Sequence, residues 1–147
     1  MSLGATHYIE WHTCIANAFI SHLVSLITEG GVAWCAPIMW RLDAEYKALR
    51  EEVPWLKKRP TEYLRDHVRF SSQPLEMPDR QEWLLQILEM MDAERTVMFA
   101  SDYPHWDFDS PTHAFPPLPE RMHRRIFREN ALELYGLADG EARRRTG

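Results

Sequence analysis

Strand-like and helix-like segments alternate along this chain of 147 residues, and no other feature restricts its fold as much. Apolar residues recur at helical spacing in four segments, which begin near Cys14, Pro37, Asp79 and Pro119. Short β-prone runs separate them, at 7–11, 68–72 and 96–100, with a brief extended or turn segment at 32–34. Such alternation is typical of parallel strands with helices packed outside them. The sequence therefore predicts a single α/β domain.

Proline, glycine and short polar residues set the expected bounds of the helices. The first is expected to end near Thr28, and the second to end at Val53 because Pro54 follows. We expect a short helical turn over 61–65. Asp79 is expected to cap the next helix, with Trp83 on its inner face. The last helix is expected over 119–135, with Gly136 as its stop.

Polar side chains follow the predicted strands at the same end of each. They are His12, Glu29, the pair Ser72 and Gln73, and Asp102. In parallel α/β folds, ligands bind where strands end and the loops to the next helix begin. We therefore expect these side chains to gather at one edge of the sheet.

The segment VMFASDYPHWDFDSP, residues 97–111, is the strongest candidate for a site. A buried strand leads into Asp102, and an isolated buried carboxylate costs several kcal/mol unless it is paired. His105 and further aspartates follow within nine positions. Two alternatives stay open: Asp102 can cap backbone N–H groups in its loop, and His105 can be a packing residue against Trp106 or Tyr103.

Composition excludes several classes of protein. Basic residues form no stripe of the kind that binds nucleic acid, and the net charge is −5. No apolar run reaches the roughly 18 residues that a membrane span needs. Cys14 and Cys35 form no disulfide framework, so we expect a reducing, cytoplasmic setting.

The motif SDYPHWDFD, residues 101–109, resembles the last-strand motif of amidohydrolase-related metal-dependent hydrolases, the branch that includes aminocarboxymuconate-semialdehyde decarboxylase. Further matching segments occur in the same order along the chain: EGGVAW at 29–34, MWRLD at 39–43 and NALELYGL at 130–137. The resemblance covers residues 7–137.

The resemblance implies a (β/α)8 barrel with a divalent metal at the carboxyl ends of its strands. Asp102 matches the eighth-strand aspartate, which makes it the metal ligand or general base. His12 matches the fifth-strand histidine ligand, and Glu29 lies where relatives place a sixth-strand histidine. Zn²⁺ suits such ligands, with Mn²⁺ or Fe²⁺ as alternatives. Asp102, Glu29 and His105 are the candidate catalytic residues. The resemblance implies that the reaction is hydrolysis of a C–N or C–O bond in a small molecule, or decarboxylation, so a small molecule is the expected ligand.

The chain is short for this fold, because a complete barrel takes about 250 residues. We expect residues 1–147 to form the C-terminal half, from a strand-five-like segment to the final helix, with three or four parallel strands. The histidine pair of the first strand has no counterpart, since His7 and His12 would point to opposite faces of one strand. The sixth strand looks shortened or lost.

These departures leave two functions open: a truncated enzyme that is inactive alone, or a non-catalytic module that self-associates. A half barrel would expose two sheet edges and apolar strand residues. We expected the exposed face to include some of Ile9, Trp11, Val68, Phe70, Val97 and Phe99. Burial of that face predicts a homodimer or larger oligomer.

Overall fold

The computed structural model describes residues 25–137, where three short strands alternate with helices. The strands are β1 Ser25–Ile27, β2 Val68–Ser71 and β3 Val97–Met98. The helices are α1 Cys35–Ala48, α2 Pro60–His67, α3 Gln81–Met90, α4 Ala93–Thr96, α5 Glu120–Arg124 and α6 Asn130–Leu134. A 3₁₀ turn, Arg50–Glu52, follows α1, and a π-helical segment, Arg125–Glu129, joins α5 to α6.

The strands form one parallel sheet in the order β1-β2-β3. Ser25 pairs with Val68 and Ile27 with Phe70, while Phe70 also pairs with Val97. The prediction of an α/β fold with parallel strands and outer helices is confirmed. The strand predicted at 7–11 lies outside the described residues.

The first helix was predicted to run too far, because Ser25–Ile27 is a strand. Pairing with β2 overrides the local helical spacing of the apolar residues there. Of the two alternatives for this strand, shortened or lost, the structure shows the first, because three residues of it remain.

Three other bounds differ from prediction. Helix α1 ends at Ala48 because Leu49 leaves the helical region, with φ −114°. Arg80, not Asp79, is the residue before α3, and its side chain makes no cap. The strand expected over 96–100 is reduced to β3, since Thr96 closes a helical turn through its hydroxyl, which donates to Met91 O at 3.0 Å.

The core lies between the sheet and the helices, and it corrects the predicted exposed face. Val68, Phe70 and Val97 are buried against helix residues such as Met39 and Leu88. The side chains of one strand alternate between the two faces of the sheet, so an assignment displaced by one residue inverts both faces. Phe99 is half-buried, and Ile9 and Trp11 lie outside the described residues.

The outer edge of β3 is bonded to the last helical stretch. Ser72 N donates to Met98 O, so the backbone N–H and C=O groups of Met98 face β2. Those of Val97 and Phe99 face the opposite, outer side of β3. The Nδ2 of Asn130 donates to Val97 O at 2.7 Å, and Phe99 N donates to Ile126 O at 2.9 Å. The helix thus takes the bonds that a further strand would take.

Candidate functional site

The carboxyl ends of the three strands and the loops that follow them form one edge, which we call the mouth. Glu29 lies two residues after β1, Ser72 directly follows β2, and Asp102 lies four residues after β3. Glu29 and Asp102 both have left-handed backbone, with φ 55° and 56°. This conformation is energetically unfavourable for residues other than glycine, and residues that adopt it are frequent at functional sites.

Asp102 and His105 form a close pair in a tight turn. Asp102 Oδ2 lies 2.7 Å from His105 Nδ1, and His105 N donates to Asp102 O at 3.0 Å. The hydrogen bond to Asp102 raises the pKa of His105 above its ordinary value, and the negative charges of Asp102, Asp107 and Glu29 add to the effect. The ring is largely exposed, with 64% of its side-chain surface accessible.

This geometry bears on the two alternatives left open for Asp102 and His105. The carboxylate of Asp102 binds an imidazole, whereas the N–H of Tyr103 donates to Ser101 Oγ. Tyr103 packs edge-on against Phe108, with ring centroids 5.7 Å apart, and Trp106 is 93% exposed. His105 is therefore held by Asp102, and the described contacts do not include the cap or the packing role.

Asp107 belongs to the same cluster and was missed in the sequence. One ligand atom each of Asp102, His105 and Asp107 lies within 4.8 Å of the others. The dense spacing of aspartates in this loop was the available signal. Burial and the charge of Asp107 raise the pKa of Asp109. Within residues 25–137, this loop therefore concentrates negative charge around one imidazole.

The predicted metal pair of Asp102 and His12 is not tested, because His12 lies outside the described residues. Carboxylate oxygen and imidazole nitrogen in the described cluster match the ligand chemistry of Zn²⁺, Mn²⁺ and Fe²⁺. Their exposure distinguishes them from a closed site, since His105 and Asp107 both face solvent. The ligand atoms are of the types that bind a divalent ion, but the protein does not surround them on all sides.

Side-chain bonds cross the mouth from loop to loop. Gln73 Nε2 donates to Asp107 O at 3.2 Å, and Ala100 N donates to Ser72 Oγ at 3.1 Å. Glu76 accepts from Val32 N at 2.9 Å. No local pattern could have indicated Glu76, because its partner lies 44 positions away.

Other sequence-based assignments are corrected here. Arg41 and Asp43, two charged residues of α1, do not pair with each other: Arg41 pairs with Glu45, and Asp43 accepts from Thr61 N at 3.0 Å. Trp83, which was expected on the inner face of its helix, is 47% exposed, and Trp40 is 57% exposed, while Trp34 is partly buried.

The fold and the site define a class: part of a parallel α/β barrel with a carboxylate–imidazole pair at the carboxyl ends of its strands. The model of the family described as Amidohydrolase matches residues 15–137. This chain belongs to the amidohydrolase family, as its resemblance predicted.

Solved structures agree on the fold. An amidohydrolase from Mycobacterium avium subsp. paratuberculosis K-10 is similar with 24% identity and a TM-score of 0.60, over 80% of this chain and 29% of its own. The 5-carboxyvanillate decarboxylase LigW from Sphingomonas paucimobilis is similar with 22% identity and a TM-score of 0.53, over 74% of this chain and 33% of its own. The chain thus matches about a third of these proteins. The partial-barrel fold is confirmed; its assignment to the C-terminal half stays a prediction.

A comparison with curated proteins finds no match. Among the described residues, no helix has the length and apolar character to cross a membrane.

Proposed function

We propose that this chain forms the Asp102 side of an active site that acts on a small molecule with the help of a divalent metal. The reaction is hydrolysis of a C–N or C–O bond, or decarboxylation. The observation that carries the proposal is the 2.7 Å contact between Asp102 and His105 at the mouth, in a member of the amidohydrolase family. The fold shared with LigW keeps decarboxylation among the reactions.

Asp102 and His105 have complementary roles in this proposal. Asp102 orients the ring through Nδ1, which leaves Nε2 to exchange a proton with the substrate. The raised pKa of His105 increases its protonated fraction near neutral pH, which suits a proton donor. Glu29 is the second proposed carboxylate, because its charge acts on His105 from the loop after β1.

The metal would be held by Asp102, with His105 and Asp107 beside it and His12 as the ligand implied by resemblance. When bound, Zn²⁺, or Mn²⁺ or Fe²⁺, would supply a Lewis acid that polarises the substrate or activates water. Asp102 is then either a ligand or the carboxylate that accepts a proton. The described donors are few and exposed, so we expect weak metal binding by this chain alone.

Elemental analysis of protein purified without chelator tests this expectation. Zinc or manganese should be far below one ion per chain, and a near-stoichiometric content would contradict weak binding. Zinc titration by calorimetry then tests the site: Asp102→Ala should weaken the remaining binding, and Asp79→Ala, which removes an exposed acid outside the cluster, should not. Equal binding by the two variants would contradict the proposal.

A second candidate is a non-catalytic module that self-associates as a homodimer or larger oligomer. Large apolar side chains on the described surface favour it: Trp40, Trp55, Met77, Trp83, Trp106 and Tyr135 are each at least 47% exposed. Burial of such side chains between copies of the chain would be favourable. Sedimentation at micromolar concentration should give more than one chain per particle; a monodisperse monomer would contradict this candidate.

A separate polypeptide that supplies missing metal ligands is a third arrangement. Native mass spectrometry of the protein purified from its own cells should then find the chain in a heteromeric complex. The cytoplasmic setting expected from the cysteines remains part of the proposal, and Cys35 is a buried free thiol.

A further inference from the structure

One carboxylate joins two of the loops at the mouth. Glu76, in the loop after β2, accepts hydrogen bonds from Val32 N at 2.9 Å and from Ala33 N at 3.2 Å. These N–H groups precede α1, a helix of 14 residues with no acid in its first turn and no side-chain cap at Trp34. Glu76 therefore supplies the negative charge that favours the start of this helix from a distant loop.

Gly31 is shaped to admit this carboxylate. Its backbone has φ 67°, and a Cβ there would overlap Glu76 Oε1 and lie 2.7 Å from Glu76 Cδ. Any side chain at this position would carry conformational strain and would also displace the carboxylate. The turn and Glu76 are therefore fitted to each other.

The loop that carries Glu76 is also attached on its other side. Gln73 donates to Asp107 O, and Ser72 Oγ accepts from Ala100 N. One continuous set of contacts thus runs from the turn after Glu29 to the loop that contains Asp102, His105 and Asp107. Leu75 anchors the middle of this set by packing against the core.

We infer that Glu76 is a positioning residue. It fastens the loop after β2 to the turn after β1, and so sets where Glu29 stands relative to the Asp102–His105 pair. A role of this placement in catalysis rests on the proposed function. The contact between the two loops does not depend on it. A test without metal or turnover keeps the two separable.

The first measurement compares Glu76→Ala with Glu89→Ala in the full chain; Glu89 is an exposed glutamate on α3. We expect Glu76→Ala to lower the melting temperature by about 3–6 °C, and Glu89→Ala to leave it nearly unchanged. The ¹H–¹⁵N signals of residues 29–33 should move in Glu76→Ala only, with smaller shifts in the loop around Asp107. Unmoved signals at 29–33, or equal melting of the two variants, would overturn the inference.

A double-mutant cycle with Gly31→Ala tests the fit directly. In the wild-type background, Gly31→Ala should lower the melting temperature through both the strain of positive φ and the overlap with Glu76. In the Glu76→Ala background only the strain of positive φ remains. The two changes should therefore be non-additive, with a smaller loss of melting temperature in the second background. Additive losses would overturn the inference. If Gly31→Ala alone fails to fold, recovery of a cooperative melt in the double variant is the expected result, and the signals of Glu76→Ala decide the case independently.

Discussion

The two ends of the sheet differ in how their charged side chains are paired. At the amino ends of the strands, Asp66 lies between Lys58 Nζ at 2.9 Å and Arg95 Nη2 at 3.0 Å. Arg125 reaches Glu133 Oε2 at 2.8 Å and the carbonyl oxygen of Glu94 at 2.7 Å. At the mouth, within residues 25–137, Asp102 has His105, but no ion pair involves Glu29, Asp107 or Asp109.

This difference is one between charges that are paired with an opposite charge and charges that are crowded with like ones. Charges at the amino ends neutralise each other and tie successive elements together. At the mouth, burial and then the charge of Asp107 raise the pKa of Asp109 above its ordinary value. Groups held this way lower stability and are typical of sites that bind or react. We therefore expect substitutions of the paired charges at the amino ends to destabilise the protein, and substitutions in the aspartate cluster around His105 to leave its stability nearly intact.

Asn130→Ala should have the largest effect. The buried Nδ2 of Asn130 donates to Val97 O, so its removal leaves a buried carbonyl without this donor. We expect a loss of about 2 kcal/mol of unfolding free energy, measured by urea denaturation. Gln86→Ala, an exposed change on α3, is the control. Equal midpoints for the two variants would mean that the last helix does not stabilise β3 through this bond.

Asp66→Asn should cost less, and its effect should depend on pH. Lys58 and then Arg95 lower the pKa of Asp66 below its ordinary value of 3.8. Because the folded pKa is the lower one, the stabilisation is complete above the unfolded pKa and is lost as pH falls through the folded pKa. With 31% of the side chain exposed, we expect about 0.5–1 kcal/mol at neutral pH. The melting temperatures of wild type and variant, measured from pH 7 to pH 2, should converge at the acid end. A difference that persists at pH 2 would mean that ionisation of Asp66 is not its cause.

Asp102→Asn should be neutral or stabilising, because it removes one of several crowded acids at the mouth. A structural cap would instead cost about 1 kcal/mol when lost. Thermal melts of wild type and variant distinguish these results. A clear loss of stability would place Asp102 with the amino-end charges and remove the contrast between the two ends.

The smallest effect is on the ionisation of His105. Its pKa lies above 6.5 chiefly because of Asp102, so Asp102→Asn should lower it. An NMR titration of the ring signals, with a chelator present, measures this change. Asp79→Asn, which alters an acid outside the cluster, should leave the titration of His105 as in the wild type.

Sequence reasoning recovered the elements whose signals are local. Helix α2, strand β2 and the helical stretch over 120–134 follow from spacing, proline and glycine, and the Asp102 loop from its density of titratable groups. It missed what depends on distant partners. Strand β1 forms because β2 pairs with it, and Glu76 is placed by two N–H groups more than forty positions earlier. The inward side of each strand also depends on packing, and alternation alone does not determine it.

The bonds from Asn130 and Ile126 to the outer edge of β3 determine at which edge the sheet can accept another strand. A free parallel edge accepts another strand from any chain that presents one, and assembly can then proceed on both sides. Here the last helix blocks one side, so the described sheet can be extended only beyond β1. Any further strand, whether from this chain or from another, must therefore join the described sheet at β1 or first displace the last helix.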